Sequence, residues 1–574
     1  MKVIEMNEII LGIDLGTTNS EVGIFQSGKI QIFKDNGGRQ VIPSVICFDG
    51  SGKLLVGEEA RNLSPLFPES SVTSVKRLMG KGESITILDD SYSPQEISAM
   101  ILKELKKIAE QELGQSVSKA VITVPAYFDD NQRQATKDAG SIAGLEVVRL
   151  INEPTAAALS YDGGSTKSQT VLVYDLGGGT FDVSIVDIKD SLIEVIASTG
   201  DNHLGGDDFD KKLEEYILAK IETEKEVSIT DRKALARISR VSESVKIALS
   251  DEPYAQVKEE YLSEKNGSPI HVDFEISRKD YEDLISSLVE KTLESVYQAL
   301  EEANKAIEDI DEILLVGGST RTPIIRSRLK DLFKKQPRID IHPDLCVAMG
   351  AAMQGGVIAG EKQTKILIDI TPHAFGTTSI NPDSFELDYQ ILIEKNSPLP
   401  ISKSEVYYPL YEDQEKVIFS VYQGEDEDYQ KNVALGEFDL NFTKNSKNDK
   451  AVICNFNLDL NGILTVTGTE KATGKKEVIV IENSLSENII QISEARSKIN
   501  EISGDSDPIE ESNSSIKLIK EIEDKLDTFS SDDCASAKEL IVDLQEAIES
   551  EDNDEIESLT DALSDLKFYI ESNV

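Results

Sequence analysis

Gly12-Ile-Asp-Leu-Gly-Thr-Thr-Asn-Ser20 overlaps the apolar run Ile9–Ile13, and Tyr174-Asp-Leu-Gly-Gly-Gly-Thr-Phe-Asp182 continues another, Thr170–Tyr174. In each, a strand delivers an Asp to its tip, glycines let the backbone approach a ligand, and Thr hydroxyls cap the turn. Consecutive backbone amides in such a turn form an anion-binding nest. Asp14 and Asp175 can hold the waters of Mg2+, an ion that prefers a few carboxylates plus water in octahedral array. A single Gly-rich turn after a strand is often only a tight turn. Two copies about 160 residues apart imply two similar subdomains facing each other across a nucleotide.

A third strand-to-turn passage follows at Ile313-Leu-Leu-Val-Gly-Gly-Ser-Thr-Arg-Thr-Pro323. Gly317 and Gly318 admit a flat base, and the Arg321 guanidinium can stack on it. No G-x-x-x-x-G-K-[ST] loop and no G-x-G-x-x-G fingerprint occurs, which argues against a P-loop and a dinucleotide site.

Around these turns, up to Glu361, short β-rich runs alternate with helical stretches such as Pro94–Leu113 and Arg278–Ala303, the grammar of an α/β domain. Gly360-Glu-Lys-Gln-Thr-Lys365 is polar, and Ile366-Leu-Ile-Asp369 is either a docking linker or the next module's first strand. From Thr371 to Asn483 the text is all strand, with hairpin turns at Asn461-Gly462 and Thr473-Gly474. Beyond Ser486 it is helical. Asp507-Pro508 starts one helix, and Ile516, Ile519 and Leu526, Leu540, Leu544 and Ile548, and Ile556, Leu559, Leu563, Leu566 and Ile570 form apolar stripes. The expected boundaries are 1–361, 362–371, 372–484 and 485–574.

The 574 residues carry a formal charge of −46. Phosphate contacts need Lys and Arg, so a nucleic-acid partner is excluded, as is an anionic membrane surface. Ser484–Val574 alone holds 25 acidic and 7 basic residues, a net of −18, and reads as a separate unit. The four cysteines include no C-x-x-C pair and the four histidines no H-E-x-x-H cluster, which disfavours a disulfide framework or zinc site. With no apolar run of membrane-spanning length and no signal-like start, a cytoplasmic location is expected.

Gly12–Ser20, Val124-Pro-Ala-Tyr-Phe128, Ile151-Asn-Glu-Pro-Thr-Ala-Ala-Ala158, Tyr174–Asp182, His203-Leu-Gly-Gly206 and Ile313–Pro323 together closely resemble the seventy-kilodalton heat-shock chaperone family of DnaK type. The resemblance runs from about residue 8 to 484 and is nearest in layout to the HscC-like branch. It implies an α/β, actin-like two-lobed ATPase domain, a linker, an antiparallel β-sandwich that binds extended peptides, and a short α-helical lid. It also implies ATP/ADP and Mg2+, with K+ as a further ion. The implied partners are unfolded clients, a J-domain cochaperone and a nucleotide exchange factor.

Residue by residue, the resemblance implies that Asp14 and Asp175 orient Mg2+ waters and that Thr17, Thr18, Gly177, Gly178 and Gly179 contact phosphate. Gly206, Glu243, Lys246, Ser250, Gly317, Gly318, Ser319, Arg321 and Asp344 complete the nucleotide pocket. Lys76 resembles the lysine that places the attacking water, with Glu153, Thr180 and Asp182 as its hydrolytic partners. Pro125 and Arg133 match a proline switch and its relay, Arg149 and Asn152 the meeting point of linker and J-domain, and Asp369 the linker's terminal acid. Thr377, Tyr407, Val417 and Phe419 match the peptide pocket, and Ile380 and Leu410 the arch over it.

Several positions depart from the family. Gly80–Ser93 is much shorter than in DnaK-like members. Lys365 stands where the linker usually starts with an aliphatic residue, Leu410 is bulkier than the usual arch residue, and the tail is short. These favour a specialised chaperone. A small-molecule kinase or a filament-forming protein can use the same fold. Residues 372–574 argue against the first, and the self-repelling charge against the second.

Overall fold

The apolar run at Ile10 forms β1 (Ile10–Leu15), buried almost throughout, and the chain turns back at once into β2 (Asn19–Gln26) and β3 (Lys29–Ile32). The computed structural model describes residues 8–161, 168–189, 192–338, 342–362, 365–381, 384–411, 414–442, 450–480, 485–504 and, in part, 518–566. Two compact units divide the chain at Ile481 and Glu482.

In the first unit, β4 (Lys119–Val124) and β5 (Glu146–Asn152) lie parallel to β1, giving the order β5-β4-β1-β2-β3, with Ile42–Pro43 pairing to β2. Beside the short helix Glu58–Leu63, three longer helices serve this half. The first, α1 (Pro94–Leu113), opens on a Ser93–Glu96 capping box, and α2 (Asp130–Ile142) on an Asp129–Gln132 box. The third, α3 (Glu153–Ser160), starts where β5 ends and is buried from Glu153 to Leu159. The short Gly80–Ser93 segment is a two-stranded hairpin, Ile85–Ile87 with Asp90–Tyr92.

A second sheet repeats the plan. Its hairpin is β6 (Gln169–Leu176), β7 (Phe181–Lys189) and β8 (Leu192–Asp201), and β9 (Glu312–Val316) lies parallel to β6. Asp14 in β1 and Asp175 in β6 therefore hold equivalent places. The fifth strand of this sheet is β10 (Ile366–Ile368), parallel to β8 with Leu192 opposite Ile366. The Ile366-Leu-Ile run is thus an edge strand of the sheet before it, because its alternate apolar side chains find an unpaired β8 edge there. Leu367 packs into the core shared with Ala156, Ala157 and Leu159. Around the second sheet pack α4 (Gly206–Lys225), α5 (Arg232–Asp251), α6 (Arg278–Glu302) and α7 (Pro323–Phe333).

Between the halves runs α8 (Cys346–Ile358), whose small residues let backbones touch. A Cβ at Gly350 would lie 1.8 Å from the Ala156 carbonyl oxygen of α3.

After β10 the chain builds two four-stranded antiparallel sheets. One has the order β12-β11-β14-β15, from β11 (Phe375–Ile380), β12 (Leu387–Ile393), β14 (Lys416–Gln423) and β15 (Val433–Asn441). The other is β13-β16-β17-β18, from β13 (Ile401–Tyr407), β16 (Val452–Leu458), β17 (Leu464–Glu470) and β18 (Lys476–Val480). Val452, Cys454, Phe456 and Leu458 alternate inward as expected for a half-buried strand and share one core with Phe375, Phe419 and Val421.

In the second unit, α9 (Leu485–Ser503) and α10 (Ser531–Glu549) are the long helices. Ile519, Leu540, Leu544, Ile548, Ile556, Leu559, Leu563 and Leu566 of the expected stripes meet in a single apolar cluster, joined by Ile522 and Ile541. Asp507, Pro508, Ile516, Leu526 and Ile570 lie outside the described residues. Among the described residues no helix is long and apolar enough to cross a membrane.

The α3–α8 contact generates a stability prediction. Gly350→Val forces the two backbones apart and is expected to lower the unfolding free energy by about 3 kcal/mol, in the range of severe overpacking. Urea unfolding followed by far-UV circular dichroism measures it, and an unchanged midpoint would contradict the close contact.

Candidate nucleotide site

The two Gly-rich turns touch. A Cβ on Gly178 would fall 1.7 Å from the Thr18 hydroxyl oxygen, and one on Gly179 would fall 2.5 Å from the Thr17 methyl carbon. Only glycine allows this approach, and it lines up the backbone of one turn with the hydroxyls of the other. Gly206 Nα–H donates to the Gly177 carbonyl at 3.0 Å, and the Ser319 hydroxyl donates to the same carbonyl at 2.8 Å. The third turn therefore closes on the second.

Below the turns lie the acids. The Thr123 hydroxyl donates to Asp14 Oδ1 at 2.7 Å. The Tyr127 N–H donates to Asp182 Oδ1 at 3.1 Å. Lys76 is 3% exposed, with its Nζ 2.5 Å from Glu153 Oε1 and 2.5 Å from the Leu15 carbonyl oxygen. Its ammonium also lies over the Phe128 ring, 5.7 Å from the centroid. Burial pushes the Asp14 carboxyl up to about 7, with the charge of Glu153 adding to it. Burial followed by the Glu153 charge does the same to Asp182, also to about 7. Burial holds Asp175 well above the ordinary carboxylate range, helped by Glu153 and Asp182. Thr180 is likewise buried.

The donor set fits a hydrated magnesium nucleotide. Asp175, buried, and Asp14, half-buried, are carboxyl groups on equivalent strand tips. Among the described residues no three His, Cys, Asp or Glu side chains converge as a direct metal cage. Two carboxylates acting through water, with phosphate oxygens completing the shell, is the arrangement Mg2+ favours.

The other residues expected to seat the nucleotide lie on α5 and beside the third turn. On α5, Glu243, Lys246 and Ser250 follow one helical face at spacings of three and four. Glu243 pairs with Arg61 of the first half at 3.0 Å, and Lys246 with Asp210 at 2.5 Å. Arg321 sits at the rim, its guanidinium 2.6 Å from Asp344, and Gly318 lies beside the same carboxylate. The pair holds the Arg321 fork at the edge of the Gly317-Gly318 turn, where a base would stack.

Sequence reasoning missed several groups. Arg77 bonds the Gly179 carbonyl at 3.0 Å and Asp208 at 2.5 Å, and Ser74 bonds Asp207 at 2.6 Å. These contacts join the two halves over the site. Glu21, directly across from Asp14 in the β1–β2 ladder, is 3% exposed. Burial and the Asp14 charge hold its carboxyl well above the usual range. Their signal in the sequence is only adjacency, Arg77 to Lys76 and Glu21 to the first motif.

The residues expected to couple the domains lie where the first half meets the two-sheet β domain. Arg133 donates to Asn152 Oδ1 at 2.7 Å, to the Ala126 carbonyl at 3.0 Å and to the Asn461 carbonyl at 3.3 Å. Pro125 opens the turn that supplies the Ala126 carbonyl. Asn461 Oδ1 in return accepts the Leu150 N–H at 3.0 Å. Asp130 Oδ1 accepts the Leu464 N–H at 2.9 Å, and Gln423 accepts the Asp130 N–H at 3.1 Å. Asp369 is buried and feels the charges of Arg133 and Arg149. His373, also missed, stacks on Tyr127 with ring centroids 4.4 Å apart, and burial lowers its pKa to about 4.

In the β domain, Tyr407 and Phe419 meet edge to face at 5.3 Å, and Val417 packs half-buried on the same core. Thr377 is wholly buried, its hydroxyl donating to the Ser420 carbonyl at 2.8 Å. Ile380 is 46% exposed, and Leu410 is partly buried, its N–H held by Gln414.

Two matched α/β halves closing Gly-rich turns over buried acids, followed by a two-sheet β domain, define a nucleotide-driven machine with a separate working domain. The family model for the Hsp70 protein matches residues 10–573. The chaperone protein DnaK of Mycoplasmopsis synoviae (strain 53) is 42% identical over 488 residues, which are 84% of this chain and 81% of that relative. The chain belongs to the Hsp70 family, which brings an actin-like ATPase and a substrate-binding domain.

The raised acids predict how stability varies with pH. Between the ordinary Asp pKa and about 7, the native state binds more protons than the unfolded chain at Asp182. Stability of the nucleotide-free protein therefore falls as pH rises from 5 through 7. Asp182→Asn keeps the acceptor for Tyr127 and is expected to flatten that fall. Thermal unfolding from pH 5 to 8 tests it, and parallel curves for the two proteins would contradict it.

Proposed function

We propose that hydrolysis of ATP in this site switches the grip of the β domain on extended apolar segments of unfolded proteins. The chain is an ATP-dependent chaperone and an ATPase, as its family membership establishes. The observation that most supports the proposed site is the buried Lys76–Glu153 pair beside Asp14, Asp175 and Asp182.

Phosphoryl transfer asks for in-line placement and charge neutralisation more than covalent chemistry. Thr17, Thr18 and Gly177–Gly179 grip the phosphates with hydroxyls and amides. Bound magnesium would supply charge neutralisation on the phosphate oxygens, held through water by Asp14 and Asp175. The Lys76 ammonium orients the attacking water and offsets charge developing on the γ-phosphoryl group. Glu153 and Asp182, with Thr180, hold the water's hydrogens and accept its proton. Glu243, Lys246, Ser250, Ser319 and Arg321 seat the adenosine.

The linker and interface provide the switch. With β10 in the ATPase sheet and the Asn461 turn against Arg133, the β domain is held on the ATPase half. In the two-state scheme ATP favours this docked arrangement, and hydrolysis favours release. Linkage requires peptide to act back on the nucleotide side equally. We assign 1–361 to the ATPase, 362–371 to the linker, 372–484 to a peptide-binding β-sandwich and 485–574 to a lid. We assign peptide binding to Thr377, Tyr407, Val417 and Phe419, with Ile380 and Leu410 as the arch, a set that suits an extended chain held by backbone bonds. A J-domain partner meeting Arg149 and Asn152, and an exchange factor, complete the cycle.

Lys76→Ala is expected to keep ATP affinity and lose about 10²-fold in single-turnover hydrolysis, the scale of one removed electrostatic stabiliser. Normal turnover would remove Lys76 from the mechanism. Val417→Phe is expected to weaken binding of a fluorescent apolar peptide at least tenfold with basal ATPase unchanged. In the parent, ATP should speed release of that peptide, and release indifferent to ATP would overturn the switch.

A further inference from the structure

Helix α3 has a different partner at each end. Its first residue is Glu153, paired to Lys76 in the site. At its other end, Lys365 Nζ donates to the Leu159 carbonyl at 3.0 Å and to the Tyr161 carbonyl at 2.7 Å. The last carbonyls of a helix have no partner within it, and a cation placed on them also meets the negative end of the helix dipole. Lys365 immediately precedes the linker strand β10, so this ammonium arrives only when the linker docks.

The surroundings make the end of α3 a fixed point. Tyr161, its C-terminal cap, is 2% exposed, and its hydroxyl is bonded to Glu312 of β9. Arg338 bonds the same carboxylate at 2.9 Å and lies over the Tyr161 ring. Midway along, α3 presses on α8 at Gly350, where a Cβ would lie 1.8 Å from the Ala156 carbonyl oxygen. A helix of eight residues held at both ends and packed along one side moves as a single body, so a contact at Leu159 bears on Glu153.

We propose that Lys365 is a positioning residue for ATP hydrolysis: by capping α3 when the linker docks, it sets the placement of Glu153 against Lys76 and the attacking water. An aliphatic residue at this position cannot donate to those carbonyls, so linker docking in this chain carries an added polar latch. The proposal rests on Glu153 acting in hydrolysis.

The full-length chain serves for the test, with Lys365→Met, which keeps the stem without the charge, Lys365→Arg, and Glu153→Gln as a control. Three quantities are read with ATP bound: the ATP dissociation constant, the single-turnover hydrolysis rate, and hydrogen exchange of the Ile366–Ile368 amides. For Lys365→Met, hydrolysis is expected to fall about tenfold with ATP affinity within twofold of the parent. Exchange of the three linker amides is expected to quicken, and Lys365→Arg to restore both. Faster linker exchange with unchanged hydrolysis would make Lys365 a latch alone and overturn the positioning role. No change in either, or a loss that Arg does not restore, would also overturn it. Parental hydrolysis in Glu153→Gln would instead refute the site assignment itself.

Discussion

Glu153, Asp175 and Asp182 are buried together with the half-buried Asp14 beside them, and Lys76 is the ammonium set among them. That imbalance is the constraint on which the molecule depends. Buried carboxylates left unpaired are costly, and burial raises the carboxyl groups of Asp14 and Asp182 to about 7. A pocket so short of positive charge is a pocket for cations and for the polyphosphate they accompany. The two sheets exist, in this sense, to bring two strand-tip acids to one place, and the glycines of the second turn exist to let the first turn close on it.

The parts of this arrangement that depend on neighbouring residues were legible in the sequence. Strand, Asp, glycines and Thr succeed one another within nine residues, so β1, β6 and their acids could be read directly. The inward alternation of Val452 to Leu458 was as plain. The long-range pairings were not. Asn461-Gly462 announces a hairpin turn, and nothing local says that its side chain and carbonyl will cap Leu150 and Arg133 more than 300 residues earlier. Glu21 reads as the polar position of an alternating strand, although the tertiary fold turns that position inward beside Asp14. Ile366-Leu-Ile reads equally as a linker or as a first strand. Its partner, β8, lies far upstream and decides the matter.

The same distinction separates the two kinds of acidity. A net charge of −46 favours mutual repulsion between copies of the chain. Asp14, Asp175 and Asp182, by contrast, are acids whose ionisation burial opposes. Net charge therefore says little about the site, while the unusual placement of acids at strand tips says a good deal.

The placement of β10 has a consequence for the protein's life in a crowded solution. An edge strand displays a row of free amides and carbonyls that any extended chain can join. While Ile366–Ile368 occupies the β8 edge, Leu192–Glu194 is covered. In the proposed cycle each departure of the linker would uncover it. A chaperone working by that switch would thus open a second seam able to accept an extended segment. The brevity of that seam, three residues long, limits self-capture through its own moving part.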